Sequence, residues 1–188
     1  MSKELLLHCC CGPCGMYPIR SLLDQDIVPD LYWYNPNIHP RFEYDRRYEN
    51  LEIVAKHYNL ELFATEAFMQ DSWEQEVYKD NYDSRCHMCY DLRIDQIARF
   101  AAENNYEAFS TTLLVSPYQN HELMIDISKD KAIKYGVKFY YEDFRVGYRR
   151  GQNMARELGI YRQKYCGCIK SLETSDFREK ILKSFETN

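Results

Sequence analysis

The chain has 188 residues, 45% of them hydrophobic and 28% charged, with eight cysteines and a formal net charge of -5. That length supports one self-sufficient core, so a single domain over 1–188 is expected; the acidic balance argues against indiscriminate nucleic-acid binding. No apolar run is long enough to span a bilayer and the N-terminus is too short for a signal-peptide core, which predicts a cytoplasmic protein without a membrane partner.

Glu4 to Cys9 reads as a short buried strand that breaks at Gly12-Pro13, and a helix is expected near Gly15 to Leu23. Val28 to Tyr34 is the second strand candidate, stopped by Asn35-Pro36-Asn37. Tyr44, Tyr48, Leu51, Val54 or Ala55 and Tyr58 then recur at helical spacing, with Glu43, Arg46, Arg47, Glu49 and Lys56 elsewhere on the cylinder. Leu60 to Ala64 is a third strand candidate, Met88 to Glu103 a long helix, Ala108 to Val115 a strand ending at Ser116-Pro117, His121 to Tyr135 a helix and Val137 to Tyr141 an aromatic strand.

Strands alternating with helices predict an α/β domain, with a mostly parallel sheet covered by helices on both faces and joined by right-handed crossovers. In such Rossmann-like sheets, ligands bind at the carboxyl ends of the strands where strand order reverses. If strands one and four are neighbours, the loop after Cys9 and the loop at Ser116-Pro117-Tyr118 face one crevice.

The cysteines fall into three groups: Cys9-Cys10-Cys11 with Cys14, Cys86 with Cys89, and Cys166 with Cys168. In a reducing compartment such grouping points to metal or redox chemistry rather than disulfides. The spacing of Cys11 and Cys14 serves iron-sulfur, zinc and dithiol centres alike. Cys86 and Cys89 open a helix, where a separation of three puts both sulfurs on one face. Gly167 permits a tight bend between Cys166 and Cys168. Three groups exceed the four ligands of one structural zinc, which favours a cluster plus something else. A phosphate-binding loop is disfavoured, since the turn has cysteines where such a loop needs small residues and no Walker pattern is present.

Charge is unevenly spread. Arg145 to Lys170 holds seven basic residues and one acidic residue, a local +6 that leaves -11 on the remainder. Arg145, Arg149, Arg150, Arg162 and Lys164, interleaved with Phe144, Tyr148 and Tyr161, have the mixture of cations and aromatics that grips phosphates and stacks bases. A solvated helix face is the bland alternative.

Five motifs in order, His8-Cys9-Cys10-Cys11-Gly12-Pro13-Cys14, Tyr34-Asn35-Pro36-Asn37-Ile38-His39-Pro40, Arg85-Cys86-His87-Met88-Cys89-Tyr90, Thr111-Thr112-Leu113-Leu114-Val115-Ser116-Pro117-Tyr118 and Tyr161-Arg162-Gln163-Lys164-Tyr165-Cys166-Gly167-Cys168, resemble the cobalamin-independent epoxyqueuosine reductases called QueH, over nearly the whole chain. The resemblance implies a fold similar to adenine-nucleotide hydrolase-like (HUP) domains and a single iron-sulfur domain ending in a basic, Cys-containing segment, 145–188. It implies two-electron removal of the epoxide oxygen from epoxyqueuosine at the wobble position of tRNA, the last step of queuosine synthesis, with a 4Fe-4S cluster, a second iron and no cobalamin. An electron donor, not identified by the sequence, completes the partners.

On that basis Cys10, Cys11, Cys86, Cys89 and Cys168 are the candidate cofactor ligands. The expected division puts the cluster on Cys86, Cys89, Cys11 and Cys168, and a second iron or redox thiols at Cys10, Cys14 and Cys166, with Cys166 and Cys168 also counted as catalytic. Cys9 is expected to pack. His8, Tyr118 and Tyr165 are the candidate acids for the departing oxygen. Two alternatives stand beside this reading: a tRNA-binding module with structural zinc, and an iron-sulfur thiol or heterodisulfide-type reductase acting on a small substrate.

Overall fold

A computed structural model describes residues 3–66, 68–77 and 82–186. Its sheet has five parallel strands in the order β3-β2-β1-β4-β5, comprising β1 (Lys3–His8), β2 (Asp30–Trp33), β3 (Leu62–Ala64), β4 (Tyr106–Thr111) and β5 (Lys138–Phe139). β1 pairs on one side with β2, His8 opposite Tyr32, and on the other with β4, His8 opposite Thr111. The expected adjacency of strands one and four is therefore present, and the order reverses between them.

Leu5, Leu6 and Leu7 are all buried. Successive strand side chains point to opposite faces, so both faces of β1 are covered. α1 (Gly12–Leu23), α2 (Arg41–Tyr58) and α6 (Tyr148–Glu157) pack as one group, and α4 (Arg85–Glu103) packs with α5 (His121–Tyr135) and against β4 and β1. Ile19, Leu22 and Val54 from the first group, and Ile94, Ile97 and Met124 from the second, complete one core with the strands. None of the described helices is long and apolar enough to cross a membrane.

The sequence-based boundaries shift in ways that matter at the site. α1 starts at Gly12, not Gly15: Pro13 sits in the first turn, where its missing N–H is harmless, and Cys11 is the N-cap. Gly12 is required by packing, because a Cβ there would lie 2.8 Å from the carbonyl oxygen of Asn50 on α2. The fourth strand ends at Thr111, whose hydroxyl accepts from the Leu113 N–H; Thr112–Val115 form a 3-10 turn instead of continuing the strand. α4 begins at Arg85, capped by Ser84, so Cys86 lies inside its first turn. Three further helices lie outside the elements expected from the sequence: α3 (Gln70–Val77), α7 (Ile169–Glu173) and α8 (Arg178–Glu186). The basic strip is also helical in part, Arg149 and Arg150 lying on α6.

Candidate active site

A cavity of about 400 Å³ opens at the carboxyl ends of β1 and β4, the size range of ligand pockets. Six of the eight cysteines line it: Cys10 and Cys14, Cys86 and Cys89, Cys166 and Cys168. Cys11 is buried behind the wall, and Cys9 is fully buried with its thiol against the Leu7 carbonyl, in the packing role expected of it.

The first group is the tightest. The sulfurs of Cys10, Cys11 and Cys14 all lie within 4.8 Å of one another, and Cys10 Sγ is 3.8 Å from Cys11 Sγ. A tetrahedral ion with metal–sulfur bonds of about 2.3 Å has sulfurs about 3.8 Å apart, so this donor set fits one metal ion. Thr112 donates its hydroxyl to Cys10 Sγ at 3.6 Å and receives the Cys10 N–H at 3.2 Å. Thiol donation from Cys11 and Cys14 holds the Cys10 thiol well below its usual range, while burial pushes Cys11 up.

The other four cysteines are spread more widely; among the described residues no second group of three potential ligands is as close. A cubane cluster takes one thiolate per iron, and these four cysteines supply that number around one cavity. Cys89, one helical turn inside α4, has its thiol pushed up to about 12 by burial. Cys86 and Cys166 are exposed at the mouth, and the Gln119 amide lies 3.6 Å from Cys166 Sγ. Cys168 caps α7, its sulfur accepting from the Ser171 N–H.

The third group is held by residues the sequence reading left on a helix surface. Glu43 and Arg47, i and i+4 on α2, form an ion pair buried to 0% and 2% exposure, Nε to Oε1 2.6 Å. Arg47 also donates to the carbonyl oxygens of Tyr165 and Cys166, each at 3.0 Å, and Tyr161 donates its hydroxyl to the second Glu43 oxygen. Asn50 receives the Tyr161 N–H at 2.7 Å. His39 completes the clamp: its N–H donates to the Gly167 carbonyl, its Nε2 donates to the Pro36 carbonyl, and its Nδ1 accepts from the Ile169 N–H. The Glu-x-x-x-Arg spacing was the available signal for the ion pair.

Two of the three candidate acids are committed elsewhere. His8 is fully buried and absent from the cavity wall; Nε2 donates to the Tyr34 carbonyl, Nδ1 accepts from the Thr111 hydroxyl, and burial lowers its pKa to about 4. It is a neutral tether between β1, β4 and the loop after β2. Tyr165 lines the cavity but gives its hydroxyl to the His39 carbonyl, and burial raises its pKa. Tyr118 is 80% exposed on the rim, its ring edge-on to Tyr148 at 5.9 Å.

The five basic candidates are all exposed. Arg145 differs from the others: it pairs with Asp143 at 2.6 Å and holds that carboxyl down to about 2, so its charge is internally balanced. Lys164 lies on the cavity wall, and Arg149 and Arg150 lie on α6 beside the Tyr148 that also lines it.

The model of the family described as epoxyqueuosine reductase QueH matches residues 5–174. Curated proteins named Epoxyqueuosine reductase QueH are similar along most of their length. One from Dehalococcoides mccartyi is 36% identical, covering 91% of this chain and 93% of its own; one from Thermotoga maritima is 38% identical, covering 89% and 90%. Among solved structures, a predicted subunit of tRNA methyltransferase from Methanocaldococcus jannaschii shares the fold, with a TM-score of 0.53 at 11% identity over 81% of this chain and 75% of that one. The matched span contains all three cysteine groups and the clamp that assembles them: the chain belongs to the epoxyqueuosine reductase QueH family.

Proposed function

We propose that this protein reduces epoxyqueuosine in tRNA to queuosine, without cobalamin. The observation that carries the reading is the convergence of three distant cysteine groups on one cavity at the strand-order reversal, in a member of this family. The overall change is balanced: the epoxide takes up two electrons and two protons, both carbon–oxygen bonds break, a carbon–carbon double bond forms, and the oxygen leaves as water.

The close packing of Cys10, Cys11 and Cys14 supports assigning them together to one metal ion, and the wider spread of Cys86, Cys89, Cys166 and Cys168 supports assigning those four to a 4Fe-4S cluster. This moves Cys11 from the cluster set to the single-ion set and Cys166 from the second-iron or redox set to the cluster. When bound, the cluster supplies electrons one at a time and the ion supplies a Lewis acid for the epoxide oxygen.

The chain's own residues do the rest. Thr112 donates to Cys10 Sγ, and the Arg47 clamp fixes Cys166 and Cys168 opposite. With His8 and Tyr165 engaged elsewhere, Tyr118 is the hydroxyl placed to give a proton at the rim. Lys164, Arg149, Arg150 and Arg162 hold phosphates flanking a wobble nucleoside turned out of its stack. The two electrons come from an external donor.

The test is anaerobic purification with iron and sulfide quantified, then incubation with epoxyqueuosine-containing tRNA and dithionite, with nucleosides read by mass spectrometry. Loss of one oxygen atom is expected. A loaded protein that leaves the epoxide intact overturns the activity, and a colourless protein holding only zinc overturns the cofactor assignment.

A further inference from the structure

Arg93 is a buried cation. It lies on α4 one turn after Cys89, is 2% exposed and lines the cavity. Its Nε donates to the Cys89 carbonyl at 3.1 Å, a bond along its own helix that neutralises no charge. Among the described residues it pairs with no carboxylate. The ionisable groups that act on its charge are Cys89, Cys166, Cys10 and Tyr90, the cysteines coming one from each group.

Arginine cannot shed its proton in a protein, so it cannot escape burial by becoming neutral. An uncompensated buried charge is strongly destabilising. Arg47, the other buried cation of the cavity wall, has its charge balanced by Glu43, and Lys164 is exposed to water and ions. Arg85, the fourth cation on the wall, is only partly buried, so Arg93 is the fully buried charge of the wall that no carboxylate among the described residues balances. The groups on the cavity wall that can supply a compensating anion are the cysteines, which do so as thiolates. Negative charge enters when the cysteines become thiolate ligands.

We propose that Arg93 is the fixed counter-charge of the iron-sulfur centre, a positioning residue that raises its reduction potential. The inference rests on the cluster assignment above. Reduction adds one electron and makes the centre more negative by one unit, and a fixed cation in a low-dielectric wall stabilises the reduced form more than the oxidised one. A neutral residue at 93 removes that preference.

The test is an anaerobic redox titration of the loaded wild type, Arg93→Met and Arg93→Lys, followed by visible absorption and EPR, with iron and sulfide measured in each. In R93M the ratio of reduced to oxidised centre at a given potential falls at least tenfold, a shift of about 59 mV for a one-electron couple, and R93K recovers most of it. An unchanged midpoint in fully loaded R93M overturns the role of Arg93 and leaves the cluster assignment standing. A wild type without acid-labile sulfide overturns both.

Should R93M fail to fold or to hold iron, the reduced wild type and R93K are compared by pulsed EPR after guanidino-nitrogen labelling of arginine. A nitrogen coupling present in the wild type and lost in R93K supports the contact. No coupling, or the same coupling in both, overturns it.

Discussion

The guanidinium of Arg47 donates to the carbonyl oxygen of Cys166 at 3.0 Å, joining residues 119 apart in sequence. Its charge is balanced by Glu43 on the same helix, so the pair acts as a fixed bracket on which the last cysteine group is mounted. Replacing Arg47 with Met leaves the Glu43 carboxylate buried and unpaired, a cost of about 3–5 kcal/mol. Denaturant unfolding of the apoprotein measures it. The double variant E43Q/R47M removes the stranded charge and is expected to be more stable than R47M alone; a double variant no better than the single one would show that charge is not the cause.

Gly167 adopts φ +134°, and a Cβ there would lie 3.0 Å from Arg47 Nη1 and 3.3 Å from Ile38 Cγ1. Gly167→Ala combines backbone strain with a collision against the bracket. A loss of about 1–3 kcal/mol is expected, with faster proteolytic cutting between 160 and 170 and lower iron content. Unaltered cutting and loading would remove Gly167 from the clamp.

His39 joins the same segment as a neutral ring, and burial lowers its pKa from 6.5. A depressed folded-state pKa means that the native state binds fewer protons, so the stabilisation is complete above about 6.5 and is lost as pH falls below it. Protonation would aim Nδ1–H at the Ile169 N–H, which now donates to Nδ1. Apoprotein stability measured from pH 8 to 5 should fall in this window, and His39→Gln should fall less steeply. Parallel curves for the two proteins would sink the assignment.

Cysteine removal separates the two proposed centres. Cys10→Ser with Cys14→Ser is expected to lose roughly one iron per chain and no acid-labile sulfide, whereas Cys86→Ser with Cys89→Ser loses iron and sulfide together. Loss of all sulfide in the first double variant would instead place the cluster on the Cys10 side.

For tRNA, neutralising Arg149 and Arg150 together should weaken binding and reduce the slope of log affinity against log salt by roughly 1.4 to 1.8, the release expected for two phosphate contacts. Arg145→Ala should change the slope little, because Asp143 already balances it. Equal effects from the two changes would contradict this placement.

The convergence of the cysteines was legible because its ingredients are local: Cys spacing, the turn at Gly12-Pro13 and strand alternation with helices, which together foretold the crevice between strands one and four. The bracket was not legible to the same degree. Glu43 and Arg47 read as the solvent side of an amphipathic helix, since periodicity ranks residues by polarity and not by whether a distant segment returns to cover them. Arg93 escaped for the same reason. The 3-10 turn at Thr112–Val115 was read as strand because a short apolar run looks alike in both, and only the Thr111 hydroxyl bond ends the ladder. Among the acid candidates, hydrogen bonding engages His8 and Tyr165 elsewhere, which residue type alone does not foretell.

Arg47 grips Tyr165 and Cys166 through main-chain oxygens, and His39 likewise grips Gly167 through its carbonyl. A hold of this kind does not depend on which side chain is carried at 166. The place is therefore conserved by the backbone while the chemistry there is free to change: position 166 is a socket, and a serine, aspartate or histidine substituted into it would be presented at the same point on the rim.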